Sequence, residues 1–228
     1  MHRTQQMMRW PFSRAQPAAV PEPVRHRPYQ DELADRLYNL LFCDDLELAR
    51  REPGPLSGPW RLLMGPPPRS SALQTIAAAS NADSRARALA ASLLRARGAS
   101  IVRLCTLGVV VEVALPQGLE SLAAYADGAV RYIDATGDAA VFDSGPDEAR
   151  KLAREMVAHG ETFAQRREAW LQPRLPPPRG GELRVSVLVT DGPRFVDGSF
   201  ASLQTDSDVA AIVGRATRLL RRLQQRSR

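Results

Sequence analysis

Hydrophobic and polar positions alternate most regularly between Ile101 and Asp143, where the apolar run IVRLCTLGVVVEVAL is followed by LESLAAYADGAVRYIDATGDAAVFD. Period-two alternation over short runs predicts three or four successive antiparallel strands. Asp127-Gly128 reads as the two-residue centre of a type I′ hairpin turn, where both residues need positive φ. Side chains two apart share a face of a strand. Leu107, Val109, Val111, Val113 and Leu115 therefore fall on one side, and Val110, Glu112 and Ala114 on the other. Val130 and Tyr132 share a face with Arg131 opposite. In LRVSVLVTDG, Leu183, Val185, Val187 and Val189 oppose Arg184, Ser186 and Thr190, and Arg194 to Val196 reads as a short returning edge strand. One face is apolar and the other mixed, which predicts an antiparallel sheet of about five strands with helices packed on one face. The mixed face carries Glu112, Arg131 and Arg184 together and is expected to be exposed.

Helical spacing appears before, between and after these strands. From Tyr29 to about Arg51, Leu33, Leu37, Leu40 and Leu41 form an i, i+4, i+7, i+8 stripe. Two further helices are read at Ser71–Ser80 and at roughly Asp83–Arg97, the second capped by Asp83 or Ser84 and stopped at Gly98, with Arg85, Arg87, Arg95 and Arg97 on a solvated face. A helix after Asp143 starts with Pro146 near its first position, and Gly160 is read as a kink or break in it. A last helix, capped by Asp206 or Ser207, carries Val209, Ile212, Val213, Ala216, Leu219, Leu220 and Leu223 at helical spacing. The class is α+β, preceded by a helical N-terminal segment.

Proline divides the chain. Residues 1–28 hold Pro11, Pro17, Pro21, Pro23 and Pro28 and are expected to be a disordered or extended Pro/Arg-rich arm, with Met7, Met8, Trp10 and Phe12 as a small apolar patch. Residues 29–70 read as a helix plus a Pro-rich linker in which WRLLM docks as a turn or not at all. Residues 71–228 read as the α+β domain, and the block PRLPPPRGGE within them as a rigid connector.

Charge changes this picture little. The net charge is +6, but Lys151 is the only lysine among 31 basic residues, and the arginines are interleaved with 25 acids. That skew fits GC-rich coding better than selection for phosphate contacts, so nucleic acid is a disfavoured partner. The strongest basic patch is RATRLLRRLQQRSR, in which Arg215, Arg218, Arg221, Arg222, Arg226 and Arg228 follow the last acid, Asp208. Arg215, Arg218, Arg221 and Arg222 are candidate anion-binding residues. No aromatic is interleaved for base stacking. Cys43 and Cys105 lie in apolar contexts without metal or redox spacing and read as buried thiols in a reducing compartment. No run reaches the ~20 apolar residues of a membrane span, and no apolar core of a signal peptide follows MHRTQQMMRW. The expectation is a bacterial cytoplasmic protein without membrane association.

Candidate chemistry is sparse. Asp127, Asp134, Asp138, Asp143, Asp191 and Asp197 fall at strand ends or turns, where convergence on one rim would make an oxygen-ligand site for a divalent cation, and where aspartate is also the ordinary turn residue. His2, His26 and His159 have no catalytic partner in the sequence. No G-x-S-x-G, G-x-G-x-x-G or G-x-x-x-x-G-K-[ST] occurs, and no catalytic residue, metal or cofactor is assigned.

The segments GVVVEVALPQGLESLAAYADGAVRYIDATGDAAVF and PRLPPPRGGELRVSVLVTDG resemble a group of uncharacterised bacterial proteins, over roughly the last 120 residues. In element order the chain also resembles the type III secretion chaperone fold, although those proteins are usually acidic. The first resemblance carries no functional residues to transfer, and the second is one of topology alone. The leading expectation is a non-enzymatic adaptor or chaperone-like module that engages a protein partner or self-associates, with Glu112, Arg131 and Arg184 as candidate partner-binding residues. The alternatives are a metal-assisted hydrolase using the strand-end aspartates and weak nucleic-acid binding through the Arg-rich C-terminal helix.

Overall fold

The computed structural model describes residues 23–52, 58–101, 103–143 and 147–225. Expectations for residues 1–22, Pro146, Arg226 and Arg228 lie outside them. The apolar alternation builds an antiparallel sheet of β1 (Thr106–Leu115), β2 (Gly118–Tyr125), β3 (Val130–Ile133), β4 (Ala139–Phe142), β5 (Glu182–Val189) and β6 (Arg194–Ser199). Its order is β4-β3-β2-β1-β5-β6, which puts the long strand β1 at the centre between β2 and β5. The faces divide as the alternation predicts, with one exception. The pairing of β1 with β5 shifts between Thr106 and Gly108, and this irregularity turns Leu107 away from Val109 to join Val110.

The β2–β3 hairpin differs from the two-residue turn. Gly128 N–H donates to Tyr125 O at 2.8 Å and Tyr125 N–H to Ala129 O at 2.9 Å. Gly128 has φ +91, whereas the only described non-glycine residue with positive φ is Cys43. Asp127 is therefore not left-handed, and the loop is a turn over Tyr125–Gly128 closed by a left-handed glycine, the three-residue hairpin type. The β3–β4 loop repeats the pattern, with Gly137 at φ +98 donating to Asp134 O at 3.1 Å.

The helices are α1 (Glu32–Leu40), α2 (Leu46–Ala49), α3 (Gly58–Met64), α4 (Ser70–Ala78), α5 (Ser84–Ala96), α6 (Asp147–Gln165), α7 (Phe200–Leu203) and α8 (Ser207–Gln224). Asp31, Asp83 and Asp206 cap α1, α5 and α8 by accepting from backbone N–H groups of the first turn. The long helix read from Tyr29 is thus two helices, and WRLLM docks as α3 with Leu63 fully buried. α6 is unbroken: a Cβ on Gly160 would lie 2.6 Å from Val109 Cγ2, so the glycine lets the helix approach the sheet instead of kinking it.

α6 and α8 pack on one face of the sheet, with Met156, Phe163, Ile212 and Leu219 against Val109, Val111, Val185 and Val187. The mixed face is not open. Tyr38 and Leu41 of the α1 region, Leu63, Leu73, Leu89 and Leu94 form one cluster with Val110, Ala123, Tyr125 and Ile133 of the sheet. The buried side of α1 is Ala34 and Tyr38, while Leu33 of the predicted stripe is half exposed. Two arginines of α5 expected in solvent are also tied down: Arg87 is buried with Nε donating to Ala77 O, and Arg95 Nη1 donates to Thr190 O at 2.6 Å.

Candidate functional site

Glu112, Arg131 and Arg184 share the mixed face, but all three are buried there, at 0%, 7% and 7% exposure, because the N-terminal helices lie over the strands expected to face solvent. The register brings two of them together. Glu112 stands directly opposite Arg184 of β5 on one side and Ser121 of β2 on the other, and Arg184 stands opposite Asp197 of β6, to which its Nη2 donates at 3.0 Å. Arg131 lies apart, opposite Ala123, paired with Asp143 at the β4 side.

Where α1 and α5 end, the covering of this face changes to the extended stretch 170–178, and a cleft of about 1270 Å³ remains between them. Its floor includes Glu112, Arg184, Ser186 and Leu188 of β1 and β5, with Phe195 of β6 beside them. Tyr38, Phe42 and Asp44 form one wall, and Leu93, Ala96 and Ile101 at the end of α5 another. Trp170 to Leu175 also line the cleft, fixed by Trp170 N–H donating to Pro193 O at 2.8 Å and by an edge-on contact of the Trp170 and Phe195 rings, 5.1 Å apart. At the β5–β6 turn, Thr190 Oγ1 donates to Arg103 O and accepts from Cys105 N–H, which fixes the strap carrying Leu104. Leu104 and Leu171 stand at this end, 64% and 67% exposed.

The polar groups around the cleft are incompletely matched. Tyr38 Oη donates to Glu112 Oε1 at 2.7 Å, and Glu112 Oε2 is buried with no hydrogen-bond partner among the described residues. Burial raises the Glu112 carboxyl above its ordinary range, against the opposing pull of Tyr38, Arg184 and Arg174. Arg174 stacks 4.2 Å from the Phe42 ring and pairs with Asp44 at 3.2 Å, yet its Nη1 is buried and unmatched, as are Asp44 Oδ1 and Arg184 Nε. Burial likewise raises the Asp44 carboxyl. Buried unpaired donors and acceptors each cost about 1–3 kcal/mol, so these atoms mark a polar mismatch beneath the cleft surface.

The strand-end aspartates do not converge. Asp127 accepts from Ser84 N–H and Ala129 N–H, tying the β2–β3 turn to the start of α5, while Asp134 accepts from Thr136 and Asp138 N–H groups at the other end of the sheet. Asp143, Asp191 and Asp197 pair with Arg131, Arg194 and Arg184. Among the described residues no group of three or more His, Cys, Asp or Glu side chains is placed to hold a metal ion. Of the candidate anion-binding arginines on α8, Arg215 pairs with Glu155 and Arg222 with Glu148 of α6, while Arg218 and Arg221 point into solvent. Two of the four are thus partly neutralised. Among the described residues no helix is long and apolar enough to cross a membrane.

Tyr38, Asp44, Arg174 and the Trp170–Phe195 pair were not singled out by the sequence. The lone glutamate inside VVVEV is the one local signal, since a carboxyl in so apolar a strand needs a buried donor from elsewhere in the chain. No family model, curated protein or solved structure matches this chain.

Proposed function

We propose that this protein is a non-enzymatic binding module, adaptor- or chaperone-like, that takes an extended apolar segment of a partner protein into the β1–β5–β6 cleft. The observation that carries this reading is the cleft itself. Its volume of about 1270 Å³ exceeds the ~300–1,000 Å³ of small-molecule sites. Its aromatic and aliphatic walls suit the side chains of such a segment. Leu104 and Leu171 at the mouth add exposed apolar contact. The free thiols of Cys43 and Cys105 and the Arg-over-Lys skew support a bacterial cytoplasm as the setting.

The test is selection of a displayed random dodecamer library on the immobilised full chain, followed by anisotropy titration of the recovered peptides. Apolar-rich peptides of micromolar Kd are expected, weakened about tenfold by Leu171→Asp. Enrichment no greater than on bare support, or peptides indifferent to both Leu171→Asp and Leu104→Asp, would refute the reading. A concentration-dependent dimer dispersed by Leu171→Asp would replace the partner segment with a second copy.

A further inference from the structure

Between α6 and β5 the chain runs through QPRLPPPRGG. Proline fixes its own φ at about −65° and turns the residue before it towards extended backbone. Those two rules act on Gln172, Pro173, Leu175, Pro176, Pro177 and Pro178, which holds the segment to the polyproline II conformation, with three residues per turn and a rise of about 3.1 Å each. Residues 173–179 form no helix, strand or turn, their peptide bonds are trans, and their exposure repeats with a period of three. Pro173, Pro176 and Arg179 are exposed, one per turn, whereas Leu175 and Pro178, one position back, are half-buried and buried. Hydrogen bonds hold the segment in place. Trp170 Nε1 donates to Pro173 O at 2.9 Å, Arg184 Nη1 to Pro176 O at 2.6 Å, and Arg179 N–H to Glu182 Oε2 at 3.0 Å. Gly180 and Gly181, at φ +57 and +81, then end the run and turn it into β5.

We propose that Pro173, Pro176 and Arg179 form a docking ridge for an SH3-type module of a partner protein, a domain whose groove offers proline slots between aromatic rings and a carboxylate beside them. This ridge is independent of the cleft reading, because Pro176 and Arg179 stand outside the cleft lining. Its geometry and its charge choose the occupant. The two exposed prolines are one turn apart, about 9 Å, which is the repeat that a PxxP-reading groove takes. Arg179 follows one turn further along the same edge. Among the described residues it bonds only through its main-chain N–H, so its exposed guanidinium is free to meet a carboxylate of the groove. A cation at one end of the ridge also sets the direction in which the module reads it. Because the segment is extended and anchored before docking, little ordering entropy is lost on binding.

Surface plasmon resonance with the full chain immobilised and a panel of purified SH3 domains as probes tests this ridge. At least one domain is expected to bind with micromolar Kd and to lose about tenfold in affinity on Pro176→Ala and on Arg179→Glu, while Leu171→Asp leaves the Kd unchanged. Pro176→Ala keeps the carbonyl that Arg184 holds, and Arg179→Glu changes an exposed side chain, so circular dichroism of both variants should match the wild type. If Pro176→Ala does not fold, Arg179→Glu alone decides. Absence of binding by every domain, or binding indifferent to both substitutions, overturns the proposal. Binding that falls as much with Leu171→Asp as with Arg179→Glu places the domain at the cleft mouth and overturns it too. Failure of the ridge leaves the cleft reading standing, since that reading is tested by displayed peptides through Leu171 and Leu104.

Discussion

Glu112 shows how one residue couples the strand pattern to the cleft. It is the single acid in VVVEV, fully buried, with one oxygen bonded to Tyr38 and the other unmatched. Because burial raises its carboxyl above the ordinary value, the folded chain keeps a proton that the unfolded chain has released once pH passes that value. Stability then falls as pH rises through the window up to the raised value, and the deficit persists above it. Glu112→Gln retains an acceptor for Tyr38 and removes the titration. Urea unfolding should therefore find the variant more stable than wild type at pH 8, with the gain vanishing at pH 4; a gain equal at both would assign it to packing. The sequence made this residue visible, along with the face it shares with Arg184, because alternation along a strand is local information; that the two stand directly opposite depends on the β1–β5 register. Its donor was not legible, since Tyr38 lies in a distant helix and nothing in the local spacing distinguishes a stripe through Ala34 and Tyr38 from one through Leu33 and Leu37.

At the scale of elements, the helix-end signals were read correctly, whereas two glycine signals whose meaning depends on a neighbouring strand were not. Asp83, Gly98 and Asp206 mark helix ends through contacts within a few residues, and they mark them in the structure. Asp127-Gly128 misled because the dipeptide alone does not reveal where the flanking strands stop pairing, which is at Tyr125 and Val130. Gly160 misled in the same way: its reason is the sheet beneath it. Gly160→Ala tests that reason, since alanine raises intrinsic helix propensity by about 1 kcal/mol while overpacking costs about 1–3 kcal/mol. With Val109 Cγ2 only 2.6 Å from the added carbon, on the central strand, the clash should prevail. Calorimetry is expected to show a loss of about 1 kcal/mol, some 2–4 °C in Tm for a chain of this size, and a rise in Tm would mean that the helix shifts freely.

Across the whole molecule, the N-terminal helices and the sheet share one buried cluster, from Leu63 and Leu89 to Val110 and Tyr125. Proline content predicted a linker between them, and composition alone could not show that the short apolar piece amid the prolines would fold into α3 and pack Trp60 against that cluster. A shared core predicts one cooperative unfolding transition. With Trp10 and Trp170 replaced by Phe, Trp60 fluorescence and far-ultraviolet circular dichroism should trace the same denaturation curve; an earlier fluorescence transition would reveal independent opening of the N-terminal helices. The strand order carries a consequence for how this core is reached. β1 meets β2 across the short Pro116–Gln117 connection, whereas its other edge is completed by β5, which follows α6 and the second proline block. As the chain emerges from the ribosome, the valine-rich strand stands with one edge unsatisfied while all that intervening sequence is made. The interval between the synthesis of Leu115 and that of Val189 is when this protein is most exposed to aggregation and to chaperone capture, and the closing of β5 onto β1 ends it.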